Sequence, residues 1–346
     1  MEDWQQQLHN SITDLQALQR RFGIDIAPLE EIARRFPFQI TPHFWKLLEK
    51  PDDPLWRQFI PHPAELAPDT LPEDPLNEEA LSPVPCVVHR YPDRALLLAT
   101  GRCASYCRFC TRKRRTGHRA ASEEELAAGI AYIASQPAIR DVILSGGDPL
   151  TLPDETLCEL LSRLRHIRHV EIIRIGSRMP ATLPERITER LCRMLARFHP
   201  LFFCTHFNHP RELTEESKEA CRRLCEAGIP LHNQSVLLRH VNDTPEIIAE
   251  LCRKLLTFRV RPYYLHQMDL TRGTGHFRTK LDCGLHIMAS LRGRISGLAI
   301  PCYVVDLPGG LGKVPLTPPY LLRKDGQTLL YSPNGKAVLY KEEDIG

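Results

Sequence analysis

The sequence predicts an α/β protein, a partial (β/α)6 barrel with an N-terminal helical extension and a small C-terminal β meander. Strand-like apolar runs begin near Val142, Glu171, Leu201, Pro230 and Val260, at intervals of 29, 30, 29 and 30 residues. Segments of helical length separate these runs, and strand–helix–strand units of this period are typical of a parallel sheet. An earlier run at residues 95–99 supplies the first strand, and residues 300–306 supply a seventh.

Residues 1–85 form the predicted N-terminal helical extension. Leu15, Leu18 and Phe22 recur at helical spacing, and a second apolar cluster covers residues 44–48. Residues 51–85 are rich in proline and acidic side chains, so we expect them to wrap the surface as extended chain. We predict no catalytic residue in this part.

The barrel occupies residues 86–306, and its helices carry start signals such as the capping pattern at Ser122. Residues 307–346 hold a glycine-rich loop and then the meander. The meander is predicted from two hairpin turns, Asp325-Gly326 and Asn334-Gly335, flanked by short apolar runs.

The composition and net charge exclude some classes of function. The chain has 346 residues, 42% apolar and 25% charged, with a net charge of +3, which is too mild to predict nucleic-acid binding. No run approaches the ~18 apolar residues of a membrane span. Outside the motif described next, the cysteines are scattered singly in apolar or helical contexts, which favours a reducing cytoplasm over a disulfide framework.

Three cysteines directly after the first strand form the strongest motif. Cys103, Cys107 and Cys110 are spaced C-x3-C-x2-C. Three thiolates on a four-iron cluster leave the fourth iron open to a small molecule. A structural zinc site is the alternative, with Cys86 as a fourth ligand, but zinc sites favour close-spaced pairs and no second C-x2-C follows.

Polar side chains follow the other strands, where the chemistry of parallel barrels gathers. The second strand ends in Ser145-Gly146-Gly147-Asp148, and glycines there let backbone approach a ligand while Asp148 can accept from an ammonium. Tight turns use paired glycines too, so this motif alone is weak evidence for a ligand-binding site. The other strand ends carry Arg178, His206 with Asn208, Gln234, Asp269 and Asp306.

The glycine-rich loop DLPGGLGK, residues 306–313, ends in Lys313. A lysine beside a barrel mouth suits a Schiff base with an aldehyde cofactor. A solvated lysine on a turn is the commoner outcome, and Lys336 is expected to be one.

Together these motifs resemble the lysine 2,3-aminomutase family of radical S-adenosylmethionine (SAM) enzymes. The resemblance runs over residues 53–341 and includes the cysteine motif with Arg112, the SGGD turn and the lysine loop. It also includes HRYPDR at 89–94, RIGSR at 174–178, THFNHP at 205–210, NQSVLLR at 233–239 and RPYY at 261–264. Two features depart from the family: Leu311 replaces a usual glycine, and longer members carry a further C-terminal tail.

The resemblance implies three cofactors: a [4Fe–4S] cluster on Cys103, Cys107 and Cys110, SAM, and pyridoxal 5′-phosphate (PLP) on Lys313. It implies that the SGGD motif (Ser145, Gly146, Gly147 and Asp148) holds the SAM amino group. By the same resemblance, Arg90, Tyr91 and Arg94 lie near PLP and its phosphate. Gln234, His206 and Asn208 are expected to line the SAM or PLP pocket.

The resemblance further implies the reaction, a migration of the amino group of L-lysine from C2 to C3. Arg112 would bind the substrate carboxylate, and Asp269 and Asp306 would bind the ε-ammonium. Each aspartate could instead be a helix cap or a surface turn residue. We also expect an electron donor such as flavodoxin or ferredoxin, and a homo-oligomer.

Two other functions stay open at this point. A related branch makes β-lysine for attachment to elongation factor P, although it departs from the DLPGGLGK pattern that this chain keeps. The basic run at residues 112–115 could instead indicate an RNA-modifying radical SAM enzyme, or simply a solvated surface patch.

Overall fold

The computed structural model describes residues 3–117, 120–324 and 327–340. Its strands, in chain order β1–β12, are Val87–Tyr91, Arg94–Thr100, Asp141–Gly146, Ile172–Gly176, Leu201–Thr205, Leu231–Leu237, Val260–Gln267, Cys302–Leu307, Gly312–Pro315, Leu321–Lys324, Gln327–Tyr331 and Ala337–Tyr340. Its helices, α1–α12, are Asp3–His9, Gln16–Phe22, Ala27–Arg35, Pro42–Leu47, Pro54–Phe59, Glu123–Ser135, Asp154–Arg165, Met179–Thr182, Glu189–Leu195, Glu215–Glu226, Pro245–Thr257 and Leu281–Leu291.

Seven strands, β2 to β8, pair in parallel in chain order, which confirms the predicted partial barrel. Alternation along each strand separates its two faces. In β3, Val142 and Leu144 are fully buried in the core under the helices, whereas Ile143 and Ser145 line a central cavity. The sheet therefore has one face that stabilises the fold and one face that is available for chemistry.

Two further strands extend this sheet at its edges, and the sequence analysis did not predict them. β1 pairs antiparallel with β2, and β9 pairs antiparallel with β8. β9 carries Lys313, which lies opposite Asp306 of β8 in the register. The lysine therefore sits on a strand and not on a free loop.

The N-terminal extension packs its short helices around a separate apolar core that includes Leu18, Ile32, Phe44 and Phe59. The expectation of extended chain over residues 51–85 is wrong in part, because Pro54–Phe59 is the helix α5. Asp53 caps this helix by accepting from the backbone N–H groups of Leu55 and Trp56, at 2.9 and 2.7 Å. Proline at the first helical position favours helix initiation, since its missing N–H has no partner there.

The C-terminal meander is present as β10–β12, paired antiparallel in chain order. Gly335 has a φ of +80°, as the predicted Asn334-Gly335 turn requires. The other predicted turn, Asp325-Gly326, lies outside the described residues. Among the helices that the structure describes, none has the length and apolar character needed to span a membrane.

Candidate active site

A cavity of about 760 Å³ occupies the inside of the barrel and opens beyond the carboxyl ends of the strands. Its wall includes 14 of the 15 predicted site residues, and Gly146 is the exception. These are Arg90, Tyr91, Arg94, Cys103, Cys107, Cys110, Arg112, Ser145, Gly147, Asp148, Gln234, Asp269, Asp306 and Lys313. One cavity thus brings together residues from nearly the whole length of the barrel.

The cysteine loop, residues 101–117, places its three thiols in this wall. Burial raises the pKa of all three, that of Cys110 to about 11 and that of Cys103 well above its usual value. Buried thiolates of this kind need a cation beside them, and a metal centre supplies it. The donor set therefore fits an iron–sulfur cluster with three protein ligands.

Cys86, the fourth ligand of the zinc alternative, lies elsewhere. It lines a separate cavity of about 230 Å³, and its thiol donates to the carbonyl of Glu125 at 2.9 Å. Among the described residues, no group of three or more His, Cys, Asp or Glu side chains is gathered closely enough to hold a single metal ion.

The paired glycines make room for the neighbouring backbone of the cysteine loop rather than for a ligand. A Cβ on Gly146 would lie 2.3 Å from the carbonyl oxygen of Thr100, and one on Gly147 would lie 2.3 Å from that of Arg102. Gly147 also donates its backbone N–H to Thr100 at 2.5 Å. The glycines let the end of β3 pack directly against the start of the cysteine loop.

Asp148 has its carboxylate oxygens occupied by protein donors. One oxygen accepts from the backbone N–H of Leu150, and the other accepts from the Ser177 hydroxyl and the Arg178 N–H, at 2.8–3.0 Å. Burial nevertheless raises the pKa of Asp148. Its predicted contact with an ammonium stays a prediction, and its contacts in the protein fix the turn after β3.

Arg112 does not point freely into the cavity. Its Nε lies 2.9 and 3.0 Å from the two carboxylate oxygens of Glu78, and one terminal nitrogen lies 2.6 Å from Glu78. Burial alone would raise the pKa of Glu78, but the guanidiniums of Arg112 and Arg114 lower it, so this carboxylate is ionised. The other terminal nitrogen faces Ser145 at 3.5 Å. Glu78 therefore holds one edge of the Arg112 guanidinium, and the opposite edge faces the cavity.

Two further residues of the basic run are paired with the N-terminal extension. Lys113 is buried and contacts Glu65 at 2.7 Å, while Arg114 pairs with Asp74 and Glu79 at 2.9 Å. A solvated basic patch is therefore the wrong interpretation of Lys113, and the observation that suggested RNA binding has a structural explanation.

Lys313 is held by an ionic group around Asp306. Lys313 Nζ lies 2.6 Å from one carboxylate oxygen of Asp306, and Arg90 lies 2.9 Å from the other. His266 Nδ1 lies 3.4 Å from Asp306. Burial opposes ionisation of Asp306, but His266 and Lys313 lower its pKa below the usual range. Asp306 is therefore ionised, and its partners lie close around it.

Tyr91 joins β1 to the lysine strand, since its hydroxyl accepts the backbone N–H of Lys313 at 3.0 Å. The Arg94 guanidinium lies 4.1 Å from the centre of the Tyr91 ring, a cation–π distance. Arg94 lies 3.5 Å from Asp93, is 38% exposed and lines the cavity. Its guanidinium has further donors, which can face an anion in the cavity. These residues fit a phosphorylated aldehyde beside Lys313.

Asp269 differs from Asp306 in its surroundings. Within the described ranges its carboxylate makes no hydrogen bond or ion pair that the structure records. Burial and the nearby charge of Asp306 raise its pKa to about 7. A partly buried carboxylate that faces a cavity and has no paired cation of its own is suited to bind a cationic group of a ligand.

Of His206 and Asn208, the structure places only His206 in the cavity wall. His206 lines the cavity, as expected, and burial lowers its pKa, so the ring is neutral. Asn208 does not line it, which corrects that expectation: it is fully buried and accepts from the Val236 backbone at 2.9 Å. Gln234 lies in the wall, 3.3 Å from His266.

Sequence reasoning gave no role to Glu78, Tyr264 or His266 in the wall of this site, and it noted Arg178 only as a polar residue at a strand end. Tyr264 and His266 alternate on β7, so the period of the strand already placed both on the cavity face. Glu78 lies in the proline-rich stretch that was expected to carry no function.

Two sequence profiles match the chain, and they agree with this geometry. The Radical SAM superfamily profile matches residues 97–252, which include the cysteine loop and strands β3–β6. A barrel of parallel strands with three cysteines in the first loop is the arrangement that defines a radical SAM enzyme. A second profile, described as lysine-2,3-aminomutase, matches residues 288–344.

Relatives of known activity extend the match to nearly the whole chain. The chain is 46% identical to L-lysine 2,3-aminomutase of Clostridium subterminale, covering 98% of this chain and 84% of that protein. It is 47% identical to the enzyme of the same name from Methanococcus maripaludis, covering 92% and 76%. Glutamate 2,3-aminomutase of Clostridioides difficile is 41% identical, covering 99% and 84%.

The chain therefore belongs to the lysine 2,3-aminomutase family and is an isomerase. Its cofactors are a [4Fe–4S] cluster, SAM and PLP. The residues fit each of them: three thiols for the cluster, a polar turn after β3 for SAM, and a lysine beside Tyr91 and Arg94 for PLP.

Proposed function

We propose that this protein converts L-lysine to β-lysine by moving the amino group from C2 to C3. The observation that carries the proposal is the carboxylate pair, Asp269 and Asp306, in a cavity that also holds Lys313. Buried carboxylates are stabilised by a cation, and the ε-ammonium of lysine supplies one. A glutamate side chain would place a third carboxylate beside them, which like-charge repulsion opposes.

In this proposal Cys103, Cys107 and Cys110 hold the cluster and Lys313 holds PLP. When bound, the cluster supplies the electron that cleaves SAM to a radical, and PLP supplies the aldehyde that activates the migrating amino group. The electron comes from a donor such as flavodoxin or ferredoxin, and the assembly is a homo-oligomer; both stay predictions.

The ionic group around Asp306 prepares Lys313 for this role. Asp306 holds Lys313 Nζ at 2.6 Å in the cavity wall, where an aldehyde cofactor would meet it. Once Lys313 is engaged elsewhere, one carboxylate oxygen of Asp306 loses its closest donor and keeps His266 at 3.4 Å, while Arg90 still holds the other oxygen. Asp306 can then take part in binding the substrate ammonium.

Arg112 is proposed to bind the α-carboxylate at the edge that Glu78 leaves open. A planar guanidinium can hold two carboxylates at once, one on each edge. Glu78 fixes the plane of the guanidinium, which reduces the freedom lost on binding. The polar turn after β3 (Ser145, Gly146, Gly147 and Asp148) and Gln234 are proposed to contact SAM or PLP.

The test compares Asp269→Asn and Asp306→Asn with the wild-type enzyme, using L-lysine and L-glutamate as substrates. Each charge-assisted bond contributes about 1.5–3 kcal/mol, so each change should reduce kcat/KM for lysine roughly ten- to a hundredfold. Asp282→Asn, at an exposed position in α12, is the matched control and should leave the rate unchanged.

The proposal is wrong if both cavity variants turn over lysine at the wild-type rate. It is equally wrong if the wild-type enzyme turns over glutamate as efficiently as lysine. Arginine and ornithine belong in the same assay, because either one also presents a cation to the carboxylate pair.

A further inference from the structure

Arg178 lies directly after β4 and is buried, with 9% of its side chain exposed. Its guanidinium lies 4.6 Å from the ring centre of Phe59 and 5.4 Å from that of Phe109. Burying a guanidinium costs several kcal/mol unless its charge is matched. The Nε of Arg178 has no hydrogen-bond partner among the described residues, so the contacts of its two terminal nitrogens indicate what Arg178 does.

One terminal nitrogen of Arg178 donates to the sulfur of Cys107 at 2.8 Å. The other donates to Glu212 at 3.0 Å and to the side-chain oxygen of Gln58 at 2.5 Å. Cys107 also packs against the apolar core of the N-terminal extension. Arg178 therefore joins a cysteine of the cluster motif to a fixed part of the protein.

Glu212 is itself held firmly. Its side chain is fully buried, and one oxygen accepts from the Gln58 amide and from the backbone N–H groups of Asn208 and His209, at 2.9–3.1 Å. These donors spread the negative charge of Glu212 away from the Cys107 side of the guanidinium. The position of Arg178 is thus set by several contacts and not by the sulfur alone.

We propose that Arg178 is a positioning residue for the iron–sulfur cluster, donating to the Cys107 thiolate and raising the reduction potential. Hydrogen bonds to cluster sulfurs and nearby charge are the main protein influences on such potentials. Reduction adds one negative charge to the cluster, so a cationic donor at a ligand sulfur stabilises the reduced state more than the oxidised state. This inference rests on the proposed role of Cys107 as a ligand.

The test measures the cluster potential by redox titration followed by electron paramagnetic resonance, in reconstituted protein without SAM. Arg178→Gln removes the charge and should shift the potential to a more negative value. Arg178→Lys keeps a charge but cannot hold Glu212 and the Cys107 sulfur together, so it should shift the potential in the same direction by less.

Arg186→Lys is the matched control. Arg186 is also fully buried and pairs with Asp154 at 2.8 Å, but it does not line the cavity. Its replacement by lysine makes the same chemical change in a buried arginine and should leave the potential at the wild-type value.

Wild-type potentials in both Arg178 variants would overturn the proposal, and so would a shift of equal size in Arg186→Lys. If Arg178→Gln does not fold, Arg178→Lys decides alone. An unchanged potential with weakened SAM binding would assign Arg178 to SAM and also overturn the proposal.

Iron analysis of Cys107→Ala tests the underlying assumption that Cys107 is a cluster ligand. Full iron content in this variant would show that Cys107 is not a ligand.

Discussion

The cysteine loop, residues 101–117, and the lysine loop, residues 306–313, line the same cavity, but the contacts that hold them are placed differently. The cysteine loop is fixed by residues that do not line the cavity: the Gln39 amide donates to backbone carbonyls of the loop, and the buried Glu65 pairs with Arg108 and Lys113. The lysine loop depends on ion pairs around Asp306 in the cavity wall, whose partners can exchange.

This difference corresponds to what each loop must do. A cluster keeps the same three ligands through every turnover, so a fixed loop favours it. Lys313 has to change partners when PLP binds, so a loop held by exchangeable ion pairs favours that role. The same barrel therefore combines a permanent site with an adaptable one.

The largest effects should come from removing the anchor of either cofactor. Cys107→Ala and Lys313→Ala should each abolish turnover, but by different losses. Cys107→Ala should lose iron and keep PLP, whereas Lys313→Ala should keep iron and lose the PLP absorbance of the covalent complex. Iron analysis and absorbance spectra on the same samples test this.

Two controls accompany that comparison. Cys86→Ala should keep its iron, because Cys86 lies in a separate cavity. Borohydride reduction should label Lys313 and not Lys336. Iron loss in the Cys86 variant, or a label on Lys336, would contradict the assignments.

The next largest effect should come from Glu65, which holds the fixed loop. Its carboxylate contacts Arg108 at 2.7 and 2.9 Å and Lys113 at 2.7 Å, all in the buried interior. Glu65→Gln leaves two buried cations with one neutral acceptor, so it should destabilise the protein by about 3–5 kcal/mol. Urea unfolding and iron retention in the presence of a chelator measure the loss.

Glu73→Gln is the control for this change. Glu73 is 52% exposed and pairs with Arg272 at the surface, so its loss should cost under about 1 kcal/mol. Equal unfolding midpoints for the two variants would show that the cysteine loop is not held through Glu65.

A smaller effect should appear in the pH dependence, through Asp269. Its pKa of about 7 means that the carboxylate becomes able to bind an ammonium as the pH rises through that value. The kcat/KM for lysine should therefore rise through about pH 7, and Asp269→Asn should remove this rise.

Stability should move in the opposite direction. A carboxyl whose pKa is raised on folding adds stability in acid and loses that contribution as the pH rises through its folded pKa. Asp269→Asn should therefore unfold at a higher temperature than wild type at pH 8, with no such gain at pH 4. A variant that keeps the activity rise near pH 7 would show that another group titrates there.

The smallest effect should come from Leu311, where this chain departs from the usual glycine of its family. Leu311 has a φ of −70° and is 80% exposed, so leucine is unstrained there. Leu311→Gly should change kcat/KM less than about twofold. Gly312→Ala should cost more, on the order of 1–3 kcal/mol, because Gly312 has a φ of +103°.

The parallel sheet could be predicted from the sequence because each strand repeats at a nearly constant spacing. The edge strands β1 and β9 could not be predicted, since they are only five and four residues long and lie outside this regular spacing. Tyr91 and Lys313 were found through the family resemblance, but their contact with each other depends on both edge strands.

The supporting residues were the hardest to predict. Glu78 and Arg112 are 34 positions apart, and Arg178 and Cys107 are 71 apart, so neither pair follows from local spacing. Arg178 is visible in the sequence only as one polar residue at a strand end. Its role depends on which side chains the fold brings near it.

The bond between the Tyr91 hydroxyl and the Lys313 backbone joins residues 222 positions apart. A chain synthesised from its N-terminus completes the cysteine loop and the extension that holds it long before β9 exists. β1 and β9 are the two ends of the nine-stranded sheet order, so Lys313 lies beside Tyr91 only when the seven parallel strands between them are in place. The PLP site is therefore complete only when the barrel is complete, and PLP uptake reports that the whole barrel is in place.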